Sequence, residues 1–594
     1  MKRGIIVKWA DLDNCQNLLL FAQAVNELIF DYSIPSHRLP TLNSHYLCYD
    51  AISAIDAIDN HGVPEGTIKP IVEELFYSLK NDYVFENEAD SPLKYFVKKM
   101  GEKVISIHNP NDLNYNERRA IVYTINRRVF SSGKYLRMLK EKITSIIIDN
   151  DEQQQPKLYN LTKSLTSEFV NMGYDQRFIF DTLKHCYFNR KTNVNCNTQI
   201  EDFLSSFTGD QIKYTVVVIA DNELRKICEN FNDVNITNVF APKTSVPKER
   251  TFLSKSNTES YFVFNNYDAC DPYSAAESAE MSINLGLSLF RLYDHYFDFD
   301  TQSAKFIVYD ESGYFTIITP KISAVHRMKG FPTALINEKL DTAKSALASS
   351  KNNALALFLS SNLHSLSLKS NAHENQLLDL WAIIECLLDI SNANTSDRIN
   401  QICTYLVPII KSHYLYSLLE QIAQDIKNYN LIEYNRIIGE VTNEFERIYC
   451  VGKYIAFDTF ATQRDAFLNN CSDFPLLKIR INKYNAMLKT RGSLADSIEN
   501  HSIRVRWQLM RAYRNRNLII HNGDKMPYIS LLIENLHSYV DVFMTYVINC
   551  FADGHNLNSM GQEMFAKECD WLEKTQNKKK QIIDEIFLHD ALLM

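Results

Sequence analysis

The sequence predicts a mainly α-helical protein in three parts: a helical N-terminal region over residues 1–205, a small α/β module over 206–370 and a C-terminal helical bundle over 371–594. Three observations lead there. Apolar residues recur at helical spacing in much of the chain; Leu377, Leu380, Trp381, Ile384, Leu387 and Leu388, for example, fall on one helix face. β-Branched and aromatic runs with the length of buried strands are concentrated in the middle. At 594 residues, 45% apolar and 23% charged, the chain has an ordinary globular composition but exceeds what one core organises.

In chain order, the first region contains candidate helices at Asn17–Phe30, Ile68–Lys80, Glu117–Ile147 and Leu161–Val170. The run from Asp149 through Gln153-Gln154-Gln155 to Pro156 has nothing to bury and reads as an exposed linker. A second polar loop, Asn189–Thr198, precedes the change of pattern. Tyr214–Ile219 and Tyr261–Phe264 then read as strands, and Lys305–Tyr309 with Tyr314–Ile318 as a hairpin turning at Asp310-Glu311-Ser312-Gly313. A helix over Tyr273–His295 separates them, with Met281, Leu285, Leu287, Leu289 and Leu292 as its apolar residues.

The last region opens with the Trp381 helix. Ser493-Leu494-Ala495-Asp496 reads as the cap of a helix running to His521, Gly523 as its stop and Pro527 as the start of the next. That next helix carries Ile529, Leu532, Ile533, Leu536, Val540, Phe543 and Val547 on one stripe. A short link makes the two helices antiparallel neighbours and puts His521 at the tip of a helical hairpin.

Bulk properties narrow the function. A net charge of −8 argues against a surface coated with nucleic acid, so any RNA contact must use a local basic patch. The 12 cysteines form no Cys-x-x-Cys pair and suggest neither a zinc site nor a disulfide framework. Neither Asp294–Asp300 nor Lys184-His185-Cys186 has the spacing of a metal-ligand set, and no phosphate-binding glycine loop or nucleophile elbow occurs. No metal and no cofactor are expected. The absence of a signal segment or apolar span leads to the expectation of a cytoplasmic protein without membrane contact.

The chemistry concentrates near the end of the long C-terminal helix. Arg504, Arg506, Arg511, Arg514 and Arg516 precede His521, with no acid among them. Cleavage of RNA by its own 2′-hydroxyl needs a base for that proton and an acid for the departing 5′-oxygen, and histidine can serve as either. The transition state gathers negative charge that a guanidinium stabilises. Asn517, one turn before His521, is suited to holding the imidazole or a phosphate. On an ideal helix Arg514 and Asn517 lie near the azimuth of His521 while Arg516 lies well round, so the choice of arginine stays open. One motif histidine per chain is sparse for acid–base work; two copies would supply both roles. The bland alternative is a solvated arginine face with His521 capping the helix.

Arg516-Asn517-Leu518-Ile519-Ile520-His521 resembles the Arg-x(4–6)-His signature of HEPN domains, and Trp381 with Glu385 resembles the first long helix of the ApeA-like HEPN branch. The resemblance covers roughly residues 371–553. It implies a helical bundle that homodimerises through the C-terminal domain, with Arg516, His521 and Asn517 as catalytic residues and Arg514, Arg511 and Glu385 contacting substrate. It further implies a metal-independent endoribonuclease acting on RNA such as tRNA, in a toxin or anti-phage setting with an activator that the sequence leaves unidentified. The alternative is a non-catalytic RNA- or partner-binding helical protein.

Overall fold

The computed structural model describes residues 9, 11–29, 37–61, 63–86, 113–130, 133–188, 194–229, 234–297, 299, 301–318, 333–370, 372–388, 395–522, 528–576 and 579–593. It is mainly helical with one small sheet. The N-terminal helices are α1 (Gln16–Leu28), α2 (Ser44–His61), α3 (Ile68–Asn81), α4 (Tyr115–Val129), α5 (Lys134–Asp149) and α6 (Gln155–Asn171). The single helix expected over Glu117–Ile147 is therefore two, with Gly133 at φ 67° directly before the second.

The polar run after Asp149 is a pinned turn, not a linker. Asn150 adopts φ 48°, and its Oδ1 accepts from the Asn17 backbone at 3.1 Å. The Asn17 side chain, fully buried, donates back to the carbonyls of Ile146 and Asp151 at 3.0 and 3.1 Å. Asp151 accepts from Gln153 N at 2.9 Å, so the polar residues satisfy helix ends where the sequence offered nothing apolar to bury.

One compact unit consists of residues 169–189 and 201–322. Its five strands, β1 (Ile212–Asp221), β2 (Val234–Thr237), β3 (Glu259–Ala269), β4 (Lys305–Tyr309) and β5 (Phe315–Ile318), form an antiparallel sheet in the order β2-β3-β1-β4-β5. Central β1 pairs Val217 with Val263 on one side and Ile307 on the other. Both of its faces are buried. Val216 and Val218 meet helix α7 (Pro272–Arg291), while Val217 and Ile219 pack with Leu253, Tyr261 and Tyr309, which explains the unbroken apolar run. Helix α7 seats through Ala275, Ala276, Ala279, Ile283 and Leu287. Of its expected apolar residues only Leu287 is buried; Met281, Leu285, Leu289 and Leu292 are exposed, because small alanines allow the closest approach to the sheet.

The other unit joins residues 1–168, 190–200 and 323–594. This grouping differs from the consecutive division at 205 and 370: residues 1–168 and 323–594 share one body. Its later helices are α8 (Thr333–Ser349), α9 (Lys351–Lys369), α10 (His373–Leu387), α11 (Thr395–Ser412), α12 (Tyr414–Tyr429), α13 (Leu431–Ile438), α14 (Glu444–Ala456), α15 (Ala461–Asn469), α16 (Pro475–Met487), α17 (Arg491–Asn522), α18 (Ile529–Ala552), α19 (Leu557–Gln576) and α20 (Glu585–Leu593). Polar bonds join the two parts of the sequence. Arg480 sits between Glu27 and Asp425, and all three side chains are at most 5% exposed. His37 Nε2 lies 2.7 Å from Tyr484 OH, and Arg38 donates to Glu534 O at 2.7 Å and Ser538 Oγ at 2.9 Å.

The expected apolar stripes of α10 and α18 are buried throughout. The cap of α17 is Thr490, not Ser493: Thr490 Oγ1 accepts from Ser493 N, and Ser493 Oγ accepts from Thr490 N, both at 3.1 Å. The start of α17 is also tied to a C-terminal segment, since Gly492 N donates to Lys579 O at 3.0 Å and Thr490 bridges Ile582. A Cβ at Gly492 would stand 2.7 Å from that carbonyl. Gly492→Ala is therefore expected to destabilise this unit by about 1–3 kcal/mol, measured as a lower urea midpoint; an unchanged midpoint would show that the segment gives way freely.

Candidate functional site

Helix α17 carries most of the expected site residues, and its arginines meet different surroundings. Arg504 and Arg506 are exposed. Arg511 and Arg514, three apart, turn inward on one helix face. Arg511 hydrogen-bonds Glu74 of α3 and lies 3.6 Å from Asp50 of α2. Arg514 hydrogen-bonds Asp50 and reaches Tyr528 OH at 3.4 Å, and that hydroxyl donates to Asp50 at 2.9 Å. The exposures of the Arg511, Asp50 and Arg514 side chains are 3%, 4% and 13%. Arg511 and Arg514, expected to contact substrate, are thus both paired with carboxylates of the N-terminal helices.

The electrostatics of this cluster follow from its burial. Removal from water works to raise the Asp50 carboxyl, but Arg514 and Arg511, with hydrogen bonds from Arg514 and Tyr528, hold it below its ordinary range. Tyr528 is pushed up to about 12 by burial and by the Asp50 charge beside it. Asn515, fully buried, donates to Arg511 O at 2.9 Å and approaches Tyr528 OH at 3.4 Å. Tyr528 precedes α18, so one hydroxyl ties the end of α17 to the start of the next helix.

Arg516 lies two residues beyond Arg514, about 200° round the cylinder, and meets α10 instead. Its Nη1 donates to Asn517 Oδ1 at 2.9 Å, and its Nη2 lies 3.8 Å from Glu385. Trp381 Nε1 donates to Glu385 Oε1 at 3.0 Å, one turn along α10, while the buried Trp381 ring contacts Tyr513 of α17 with centroids 5.5 Å apart. Arg398 of α11 approaches the same carboxylate at 3.5 Å. Glu385, expected to contact substrate, thus faces the guanidiniums of Arg516 and Arg398 and the Trp381 ring nitrogen. The side chain of Arg516 remains 28% exposed.

The structure brings Arg516, Asn517 and Glu385 together and puts Arg511 and Arg514 elsewhere. The backbone of His521 belongs to the last turn of α17; its side chain, like Gly523 and Pro527, lies outside the described residues. Arg398, Asp50, Glu74 and Tyr528 were missed from the sequence. Arg398 carried only the weak signal of a polar helix start, and the two acids carried none.

Asp50→Ala leaves Arg514 buried without its carboxylate and is expected to cost roughly 3–5 kcal/mol, read from urea unfolding at pH 7. Because the Asp50 carboxyl is depressed in the fold, its stabilisation is complete above the ordinary value of 3.8 and is lost as pH falls through the lower folded value. Wild type should therefore lose more stability than Asp50→Asn as pH drops below about 4; parallel pH profiles would show that Asp50 is not charged in the fold.

Comparison with protein-family models, curated proteins and solved structures gives no match.

Proposed function

We propose that the helical unit is a metal-independent endoribonuclease of HEPN type, in which Arg516 and His521 act on RNA within a homodimer. The observation that carries this reading is the split within the arginine group. Arg511 and Arg514 anchor α17, whereas Arg516 is partly open to solvent, lightly held by Glu385 and Asn517, and five residues before the histidine. In the reaction a base removes the 2′-hydroxyl proton, the oxyanion attacks phosphorus, and the 5′-oxygen leaves and is protonated. The products are a 2′,3′-cyclic phosphate and a 5′-hydroxyl. Arg516 stabilises the charge gathered on the phosphoryl oxygens, Asn517 fixes its guanidinium, and His521 moves protons.

On an ideal helix positions 516 and 521 lie about 140° apart in azimuth. That divergence, with one motif histidine per chain where two proton transfers are needed, favours a cleft to which two copies contribute. A structured RNA such as tRNA as substrate, and a role in growth arrest or phage defence under a phage-derived or other activator, belong to the same proposal through the HEPN resemblance. Arg504 and Arg506, exposed midway along α17, offer basic groups at the surface despite the net charge of −8.

The test is purified protein on total cellular RNA, with cut ends mapped and chain mass measured by light scattering. Cleavage is expected to leave 2′,3′-cyclic phosphates, to continue in EDTA and to come from a species of two chains. His521→Ala should slow it by about 10²–10⁴ and Arg516→Ala by about 10²–10³. Ends bearing 3′-hydroxyls, or His521→Ala cutting as fast as wild type, would sink the reading. RNA binding that Arg516→Ala weakens, with no cleavage under any condition, would establish the non-catalytic alternative.

A further inference from the structure

Helix α9 is built inside out. Its inward face buries Asn353, Ser360 and Ser367 with only Leu357 among its leucines, while Leu355, Phe358, Leu359 and Leu366 are exposed. A packed helix ordinarily buries its leucines. Ser360 is fully buried and its hydroxyl has no hydrogen-bond partner among the described residues. One turn further along the same helix stands His364, and its Nε2 is where the polar face meets α18.

There, His364 Nε2 lies 3.1 Å from Asp541 Oδ1 and 3.2 Å from His537 Nε2. His537 and Asp541 are four apart on α18, so one helix face presents both; His537 Nδ1 also lies 3.7 Å from Asp541 Oδ2. The imidazole planes are 21° from parallel with centroids 5.2 Å apart, so the rings meet through their Nε2 edges. One donor atom from each of the three residues lies within 4.8 Å of the other two.

Hydrogen bonding accounts poorly for this arrangement. A neutral imidazole nitrogen has one in-plane direction and at most one hydrogen. At His364 Nε2 that hydrogen would have to serve both a carboxylate and a second imidazole nitrogen. A cation set among the three lone pairs satisfies all of them together. Ligand atoms about 2.0–2.2 Å from a tetrahedral zinc ion stand roughly 3.4 Å from one another, close to the 3.1 and 3.2 Å separations here.

We infer that His364, His537 and Asp541 form a binding site for a divalent transition-metal ion of the zinc class, which clamps α9 onto α18. Two imidazoles and one carboxylate suit zinc far better than magnesium or calcium, which take oxygen ligands. The His364 and Asp541 side chains are 24% and 25% exposed, so an ion can enter and a fourth position can hold water; His537 is only 5% exposed and fixes the inner edge. The site uses none of the residues assigned to RNA cleavage and stands or falls independently of that reading.

The test uses the full chain, freed of metal by chelation, reduced, and titrated with Zn²⁺ and separately with Co²⁺. Wild type is expected to take up one equivalent more than His364→Gln or Asp541→Asn, to show the visible d–d bands of nitrogen- and oxygen-ligated Co²⁺, and to gain Tm with Zn²⁺ but not with Mg²⁺. Circular dichroism of both variants checks their folding; if His364→Gln fails to fold, Asp541→Asn, at a partly exposed position, decides alone. Equal uptake by wild type and the folded variant overturns the proposal and leaves a metal-free His–His–Asp hydrogen-bonded group, as does Co²⁺ absorption of purely thiolate character traceable to the cysteines.

Discussion

Asp50, buried against two guanidiniums, sets the rotation of α17 and thereby the exposure of everything after it. Taking a carboxylate and two arginines out of water is costly, and only close pairing offsets the cost. Once Arg511 and Arg514 are held inward, helical periodicity leaves Arg516 no choice but the opposite side, where α10 supplies Glu385. The same three positions could be read as three equivalent basic residues. Their azimuths make them two anchors and one partly exposed cation held by Asn517 and Glu385.

The environment of Glu385 extends this logic. Trp381 fixes the carboxylate with its ring nitrogen and holds α17 with its ring face, so one side chain links the register of two helices to the aim of an arginine. Arg398 adds a second cation, which keeps Glu385 from being wholly claimed by Arg516. A guanidinium at 3.8 Å is oriented without being locked, which leaves it free to exchange one anion for another. Elsewhere the interior handles charge differently. Glu27, Arg480 and Asp425 pair closely, whereas Lys163, half-buried near Lys483 and Arg504, is lowered to about 7 by loss of hydration and by those like charges.

Features written in local periodicity were legible in the sequence. The stripes of α10 and α18, the hairpin at Asp310–Gly313 and the buried strand after Tyr214 each depend on neighbours within a few residues, and each is found where the spacing put it. Features decided by distant partners were not. Alanines, not leucines, seat α7, because closeness to the sheet outweighs side-chain size. The four-residue β2 is too short to leave a pattern, and the polar turn at Asn150 looks like a linker until Asn17 is brought against it. At the site, the motif residues Arg516 and Asn517 could be named from sequence, but the distinction between Arg514 and Arg516 rests on carboxylates that lie hundreds of residues away.

That separation has a temporal meaning. Asp50 and Arg514 are 464 residues apart, and at a ribosomal pace of roughly 5–20 residues per second the acid waits about 25–90 s for its partner. Until then the N-terminal helices carry Asp50 and Glu74 without the cations that neutralise them in the finished fold. Any chain released before residue 511 lacks both the anchors and the arginine they aim. Assembly of this cluster is thus deferred until most of the chain has been made.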